Sequence, residues 1–269
     1  MAVITISRGS FSGGKMLAEC LADALGYRCI DRDVIVEKAA AYGATQEELR
    51  ETLDKPPSFL DRMKHKRYIY LALIQAALLE EVREGKAIYH GNAGHLLLRG
   101  VSHVLRVRII APLEYRMAMV QDSLNLGPPE ALAYVQKVDQ DRARWTQYLY
   151  GVGCGDPNQY DLLLSLERMD IREACEVIAG TAKLRCFEET PESQAALEDL
   201  ALASRVRASL IGDPRTSQAE VDIRARSGAV TLNVAACTAG QIEDVQAIVW
   251  RVPGVKEMAI QSDAAGAEA

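Results

Sequence analysis

Long apolar runs are missing from this sequence. No stretch approaches the ~20 consecutive apolar residues that a helix needs to cross a bilayer. The opening run Ala2–Ile6 is too short for an export signal and meets Arg8 and glycines at once. Paired cysteines are missing as well: the six present (Cys20, Cys29, Cys154, Cys175, Cys186, Cys237) show no CxxC and no regular framework. Several sit in apolar periodic runs, where a free thiol behaves as a small hydrophobe, so a reducing, cytoplasmic setting is expected. The four histidines make no metal-ligand set, since His90 and His95 stand five apart with glycines between them and His103 begins a strand. Clustered positive charge is lacking too. The net charge of −6 argues against a general nucleic-acid binder but leaves room for a small phosphorylated ligand, which needs only a local positive site. Neither an internal repeat nor a heptad array is visible.

What is present is ordinary for a globular chain: 49% hydrophobic and 25% charged residues over 269 positions. That length is generous for one compact domain and comfortable for two, and a sizeable core needs no disulfide or metal.

Strands and helices alternate through the first two thirds. Ala2–Ser7 is a short β-branched run of the kind a buried parallel strand shows. A glycine-rich turn follows, then a helical face of Leu17, Leu21, Ala22 and Leu25 that stops at Gly26. Tyr27–Ile30 reads as a second strand ending on Asp31. Thr45–Glu48 has the spacing of a capping box, and Ser58–Glu84 reads as one long amphipathic helix. Further strands are predicted at Lys86–His90, His103–Ile110 and Tyr160–Leu166. Helices are predicted after Pro112 to about Leu124, over Glu130–Tyr150 and over Ile171–Ala182. Such alternation implies a parallel sheet with helices on both faces. The rhythm changes near Lys183–Glu192, a polar stretch with Pro191 that reads as a linker. Beyond it the order is α-β-β-α-β: a helix at Ser193–Ile211, strands at Glu220–Ala225 and Ala229–Ala235, a helix at Gly240–Val252 and a last strand within Gly254–Gln261. The expected domains are therefore 1–184 and 193–262, with 263–269 a disordered tail of small residues.

The chemistry starts at Gly9-Ser-Phe-Ser-Gly-Gly14-Lys15, between the first strand and the first helix. Glycines let successive N–H groups converge on an anion, and the helix N-terminus adds partial positive charge. Ser12, Gly13 and Gly14 would hold phosphate, and Lys15 can reach the outer phosphates. Formally this is GxxxxGK, with Met16 where a magnesium-binding hydroxyl usually stands. The alternative is a tight turn whose glycines serve packing alone. Asp31 and Asp33 lie where the second strand ends, the edge at which open α/β sheets bind ligands. They are acceptor-site candidates or, equally, helix N-terminal residues. Arg116 is open to two readings, a phosphate contact or a surface ion pair.

Ile4-Thr-Ile-Ser-Arg8, Ser12–Lys15, Leu25-Gly26 and Ile30-Asp-Arg-Asp33 resemble the cytidylate kinase-like proteins of the P-loop nucleoside monophosphate kinase group. So do Ala87–Gly91, Leu105–Arg116, Lys137–Arg144 and Tyr160–Leu163, in the same order and spacing. The resemblance implies transfer of the ATP γ-phosphate to CMP or a related small acceptor, with Mg²⁺ bridging phosphates. It makes Asp139–Arg144 part of a lid, in which Arg142 and Arg144 clamp phosphate and Asp141 orients an arginine or the acceptor. Without it, the same run reads as a solvated helix face with ion pairs. Trp145 is a packing residue or a lid contact. The family usually shows an Arg after Gly91; here Asn92 faces the acceptor without that charge. With Met16, this keeps open an alternative: a catalytically impaired nucleotide-binding module that couples occupancy to the C-terminal domain.

Ser227-Gly228 with Ala229–Val234, and Val252–Lys256, resemble the BON domain, a small α/β module associated with membrane or small-ligand attachment. A generic accessory domain, packing on the first or supporting homo-oligomer formation, is the other reading. No metal-ligand set, nucleic-acid partner or membrane span is expected.

Overall fold

The computed structural model describes residues 2–54, 66–234 and 237–261. Five strands make the first sheet: β1 (Val3–Arg8), β2 (Arg28–Ile30), β3 (Ala87–Tyr89), β4 (Val104–Ile110) and β5 (Leu162–Ser165). Their order is β2-β3-β1-β4-β5 and every pairing is parallel. Parallel neighbours require crossovers, and the crossovers are helices on both faces. The expected α/β architecture is therefore the one observed, with most element ends shifted by a residue or two.

Side-chain alternation divides β1 between two cores. Ile4 and Ile6 face α1 (Gly14–Leu25) and α8 (Ile171–Thr181), where they join Leu17, Leu21, Leu105, Val107, Ile109 and Ile178. Val3 faces the opposite side. There α2 (Arg32–Ala40), α3 (Gln46–Asp54) and α4 (Lys66–Val82) contribute Ile35, Leu49, Leu73, Leu78 and Leu79. The capping box at the head of α3 forms as expected, Glu48 N–H donating to Thr45 Oγ1 at 3.2 Å and Thr45 N–H to Glu48 Oε2 at 3.1 Å. Of the long helix expected from Ser58, residues 58–65 lie outside the described residues, as does the 263–269 tail.

Three further helices shape the upper edge of the sheet: the short α5 (Gly94–Leu97), α6 (Leu113–Leu124) and the 23-residue α7 (Pro128–Tyr150). Alternation sends Thr5 and Ser7 of β1, and Arg106 and Arg108 of β4, to the α5 side, where Ser7 lies opposite Arg108 in the register. That part of the sheet face is polar, unlike the rest.

The second unit is α9 (Pro191–Gly212), β6 (Asp222–Arg226), β7 (Ala229–Asn233), α10 (Ala239–Val249) and β8 (Glu257–Gln261), the expected α-β-β-α-β order. Its sheet is mixed: β6 pairs antiparallel with β7, and β7 parallel with β8. Between the units, Lys183–Glu192 carries one 3-10 turn (Arg185–Phe187) and the first residues of α9, capped by Thr190 in a capping box with Ser193. Helix α9 belongs to both cores. Leu197, Ala201 and Ala208 pack with α4, whereas Leu202, Val206 and Leu210 pack on the small sheet. Among the described residues no helix is long and apolar enough to cross a membrane.

Candidate active site

The glycine turn leaves β1 at Gly9 and enters α1 at Gly14. Gly13 takes the left-handed conformation (φ 76°) as the helix N-cap, and no side chain caps the helix. Among the described residues, no protein group accepts from the amides of Gly13, Gly14 or Lys15. Neither Phe11 nor the bulk of Met16 plugs the turn, although Arg8, Ile171 and the Met16 methyl pack against Gly13 and Gly14. Phe11 turns away onto α7, its ring edge-on to Tyr134 with centroids 5.9 Å apart, and Met16 is exposed on the outer side. Gly14 is needed for another reason: a Cβ there would stand 2.1 Å from Arg8 Cδ, so only glycine lets the Arg8 side chain cross the head of α1. Lys15 projects into solvent, its side chain 75% exposed and its Nζ 3.9 Å from Glu19. So exposed a pair holds the lysine weakly.

The turn is fastened to α7 by charge. Arg116 of α6 donates to the Ser10 carbonyl at 2.7 Å and to Ser10 Oγ at 2.6 Å. Its Nη2 also meets Asp139 Oδ2 at 2.5 Å, and Ser10 Oγ donates to Asp139 Oδ1 at 2.8 Å. Trp145, farther along α7, donates from Nε1 to the Thr52 carbonyl of α3 at 2.7 Å. Both anchors hold α7 over the sheet edge.

Beneath α7 lies a cavity of about 200 Å³ at the C-terminal ends of β1, β3 and β4. Arg8, Arg108, Arg116 and Arg142 line it, opposed by Asp139 and Asp141, with Asn92, His95 and Cys154 also in the wall. Arg142 Nη1 donates to the Arg8 carbonyl at 3.2 Å. Burial, with Arg8 alongside, pushes the Arg142 guanidinium down to about 10, and burial lowers Arg8 too. Arg108 is held by Ser7 Oγ and Tyr160 OH, both at 3.3 Å, while Tyr160 OH donates to the Cys154 carbonyl at 2.9 Å. His95 leans on Tyr160, ring centroids 4.7 Å apart. Burial and then Arg108, Arg106 and Arg99 push it down to about 4.

The residues singled out in the sequence are thus distributed over three places. Ser12, Gly13, Gly14 and Lys15 form the turn. Asn92, Asp141 and Arg142 line the cavity, and Arg144 is exposed on α7 outside that lining. Asp31 caps α2, accepting from Val34 N–H at 2.9 Å, and Asp33 pairs with Arg50 at 3.2 Å; neither lines the cavity. Arg116 forms an ion pair, with Asp139, inside a partly buried network. Sequence reasoning gave no site role to Arg8, Arg108, His95 or Tyr160, and placed Asp139 only within the lid run. One signal was available: charged residues in a strand with two parallel neighbours are rare enough to ask what they face.

A parallel five-stranded sheet, a glycine turn leading from its central strand into a helix, and a helix laid over the strand ends define a P-loop kinase-like fold. The chain belongs to the cytidylate kinase-like family, whose model matches residues 3–168. It is 27% identical over 172 residues to a cytidylate kinase from Methanothrix thermoacetophila, covering 63% of this chain and 91% of that one. Among solved structures, an uncharacterized protein from Eubacterium ventriosum shares the fold with a TM-score of 0.54 at 17% identity, covering 69% of this chain and all of that one.

Proposed function

We propose that the chain is a phosphotransferase of the nucleoside monophosphate kinase type, moving the γ-phosphate of ATP to CMP or a related small phosphorylated acceptor. One observation carries the reading: four arginines converge on a single cavity beside the uncapped glycine turn. With only two carboxylates in the wall, that cavity favours an anion although the whole chain carries −6.

In this reading the triphosphate lies along Ser12, Gly13 and Gly14, and Lys15 swings from solvent onto the outer phosphates. The acceptor sits in the cavity with its phosphate toward Arg142 and with Asn92 and Asp141 beside it. An acceptor phosphate is already ionised, so no general base is required. Its oxygen forms the bond to the γ-phosphorus as the bond from phosphorus to the β–γ bridging oxygen breaks, and ADP leaves with that electron pair. Lys15 and Arg142 offset the charge that develops.

Magnesium enters with ATP, as part of the substrate. The chain's own residues do not fit a resident magnesium site. The thioether of Met16 replaces the usual hydroxyl, and the described residues contain no group of three His, Cys, Asp or Glu able to hold a metal. Met16 favours a second reading, a nucleotide-binding module with impaired catalysis whose occupancy is passed through α9 to the C-terminal unit. That unit, with its resemblance to a BON module, would serve as an accessory in either case.

A coupled ADP-release assay with MgATP across a panel of nucleoside monophosphates separates the two. Turnover with one acceptor, abolished in Lys15→Ala, supports the kinase. ATP-induced thermal stabilisation without turnover on any acceptor supports the impaired module. Absence of both would remove the nucleotide site itself.

A further inference from the structure

His95 is a polar ring placed where a hydrocarbon would be the cheaper choice. It sits on α5, just past the β3 loop, and is 5% exposed. Neither Nδ1 nor Nε2 has a hydrogen-bond partner among the described residues. An unmet buried polar atom costs about 1–3 kcal/mol. The contrast with His103, also buried, is instructive: its Nδ1 meets Ser193 Oγ at 2.8 Å, so that ring is satisfied within the fold. His95 differs in a second respect, because it forms part of the cavity wall.

The surroundings limit what the ring can bind. With its pKa at about 4 the imidazole is neutral near pH 7. It then offers one N–H donor and one nitrogen acceptor but no charge. A phosphate has better partners in Arg142 and Arg8, and Arg108 is already engaged with Ser7 and Tyr160. The group that suits His95 is the uncharged end of an acceptor, carrying a hydrogen-bond donor or acceptor on a planar edge.

We propose that His95 is a specificity-determining residue of the acceptor site, one of its ring nitrogens pairing with the edge of the base of a nucleoside monophosphate. This rests on the reading that the cavity takes a phosphorylated acceptor. A site built to hydrogen-bond a substrate group discriminates strongly against analogues lacking it, because its own polar atoms are then left unpaired. A purely apolar pocket discriminates far less.

The test uses the full chain and equilibrium titrations of CMP, UMP, AMP and GMP, with ATP and inorganic phosphate titrated separately. The wild type should prefer one base. His95→Phe keeps an aromatic ring against Tyr160 and removes both nitrogens. It should weaken the preferred nucleotide by about tenfold or more and bring the four affinities together, with ATP affinity unchanged. His95→Gln, which keeps a donor and an acceptor, should restore part of the preference. Should His95→Phe not fold, His95→Gln together with ¹⁵N spectra of the wild-type imidazoles decides the matter. Only four histidines contribute to those spectra, and the His95 nitrogens should shift with the preferred monophosphate but not with inorganic phosphate. Equal base preference in wild type and His95→Phe, or silent His95 nitrogens, would mean a ring satisfied by water alone. That would overturn the proposal while leaving the cavity reading intact. If the wild type binds no monophosphate at all, both go together.

Discussion

At the scale of single residues, buried charge and buried polarity set the chain's behaviour with pH. His90, His95 and His103 are all held below the ordinary histidine value, burial being the largest cause in each. The unfolded chain takes up protons from about pH 6.5 downward, whereas folded His95 does so only near 4. More protons are bound by the unfolded state across that window, so stability falls as pH drops through it and rises again with pH. For His95 alone the loss between pH 8 and pH 5 is about 2 kcal/mol. Urea unfolding at the two pH values should therefore show His95→Phe losing about 2 kcal/mol less than wild type. Equal losses would mean that the folded ring titrates as it does in the unfolded chain. Arg142 supplies a second case. A cation depressed to about 10, chiefly by burial and then by Arg8, is only partly compensated by Asp139. Arg142→Met should therefore stabilise the free chain by about 1 kcal/mol while weakening anion binding by tenfold or more. Stability and function oppose each other at that position. A destabilised Arg142→Met variant would show that the guanidinium's bond to the Arg8 carbonyl outweighs its desolvation.

At the scale of elements, the decisive piece is α9. Its Leu197, Ala201 and Ala208 complete the α4 side of the first core, and Ser193 at its start satisfies buried His103. Arg83 and Glu198 meet at 2.7 Å across the same contact. Burying Leu197 contributes about 2 kcal/mol, a large share of the 5–15 kcal/mol that holds a typical domain together. A chain ending after Leu184 should therefore lose cooperative thermal unfolding, whereas one ending after Gly212 should retain it with a nearby Tm. Equal melting of the two would mean that α4 needs no cover. The same helix illustrates what was legible in the sequence. The alternation of strands and helices, the glycine turn and the change of rhythm near residue 190 were all visible, because each is a local pattern. The double use of α9 was not. Its apolar residues lie on two faces that serve two different partners, and periodicity reports that a face exists without naming its partner. The site divides in the same way. Ser12–Lys15 announce themselves through turn chemistry, and Asn92, Asp141 and Arg142 through their place beside matched segments. Arg8, Arg108 and His95 sit inside apolar runs, and only the register of β1 against β4 brings Ser7 opposite Arg108 below α5.

At the scale of the whole molecule, α7 is expected to govern access. It crosses the strand ends with one anchor on the glycine turn, through Asp139, Arg116 and Ser10, and another on α3, through Trp145 and Thr52. The cavity lies between those anchors and the sheet, and a ligand entering it is expected to loosen one of them. Asp139 is the weaker hold, since its side chain is 40% exposed while Trp145 is buried. A partly exposed, charge-assisted pair contributes about 1 kcal/mol, and that amount in a gating equilibrium corresponds to about fivefold in the open population. Asp139→Asn keeps the shape and removes the charge. It should raise the association rate of the acceptor about fivefold and raise its dissociation rate as well. The chain has two tryptophans, so in a Trp250→Phe background the emission comes from Trp145 alone and reports α7 directly by stopped flow. Wild-type association rates should level off at high acceptor concentration, where opening becomes limiting, and Asp139→Asn should lift that ceiling. A rate that climbs linearly with concentration in both proteins would show that the cavity is reached without moving α7, and the arginines beneath it would then face an open channel rather than a gated one.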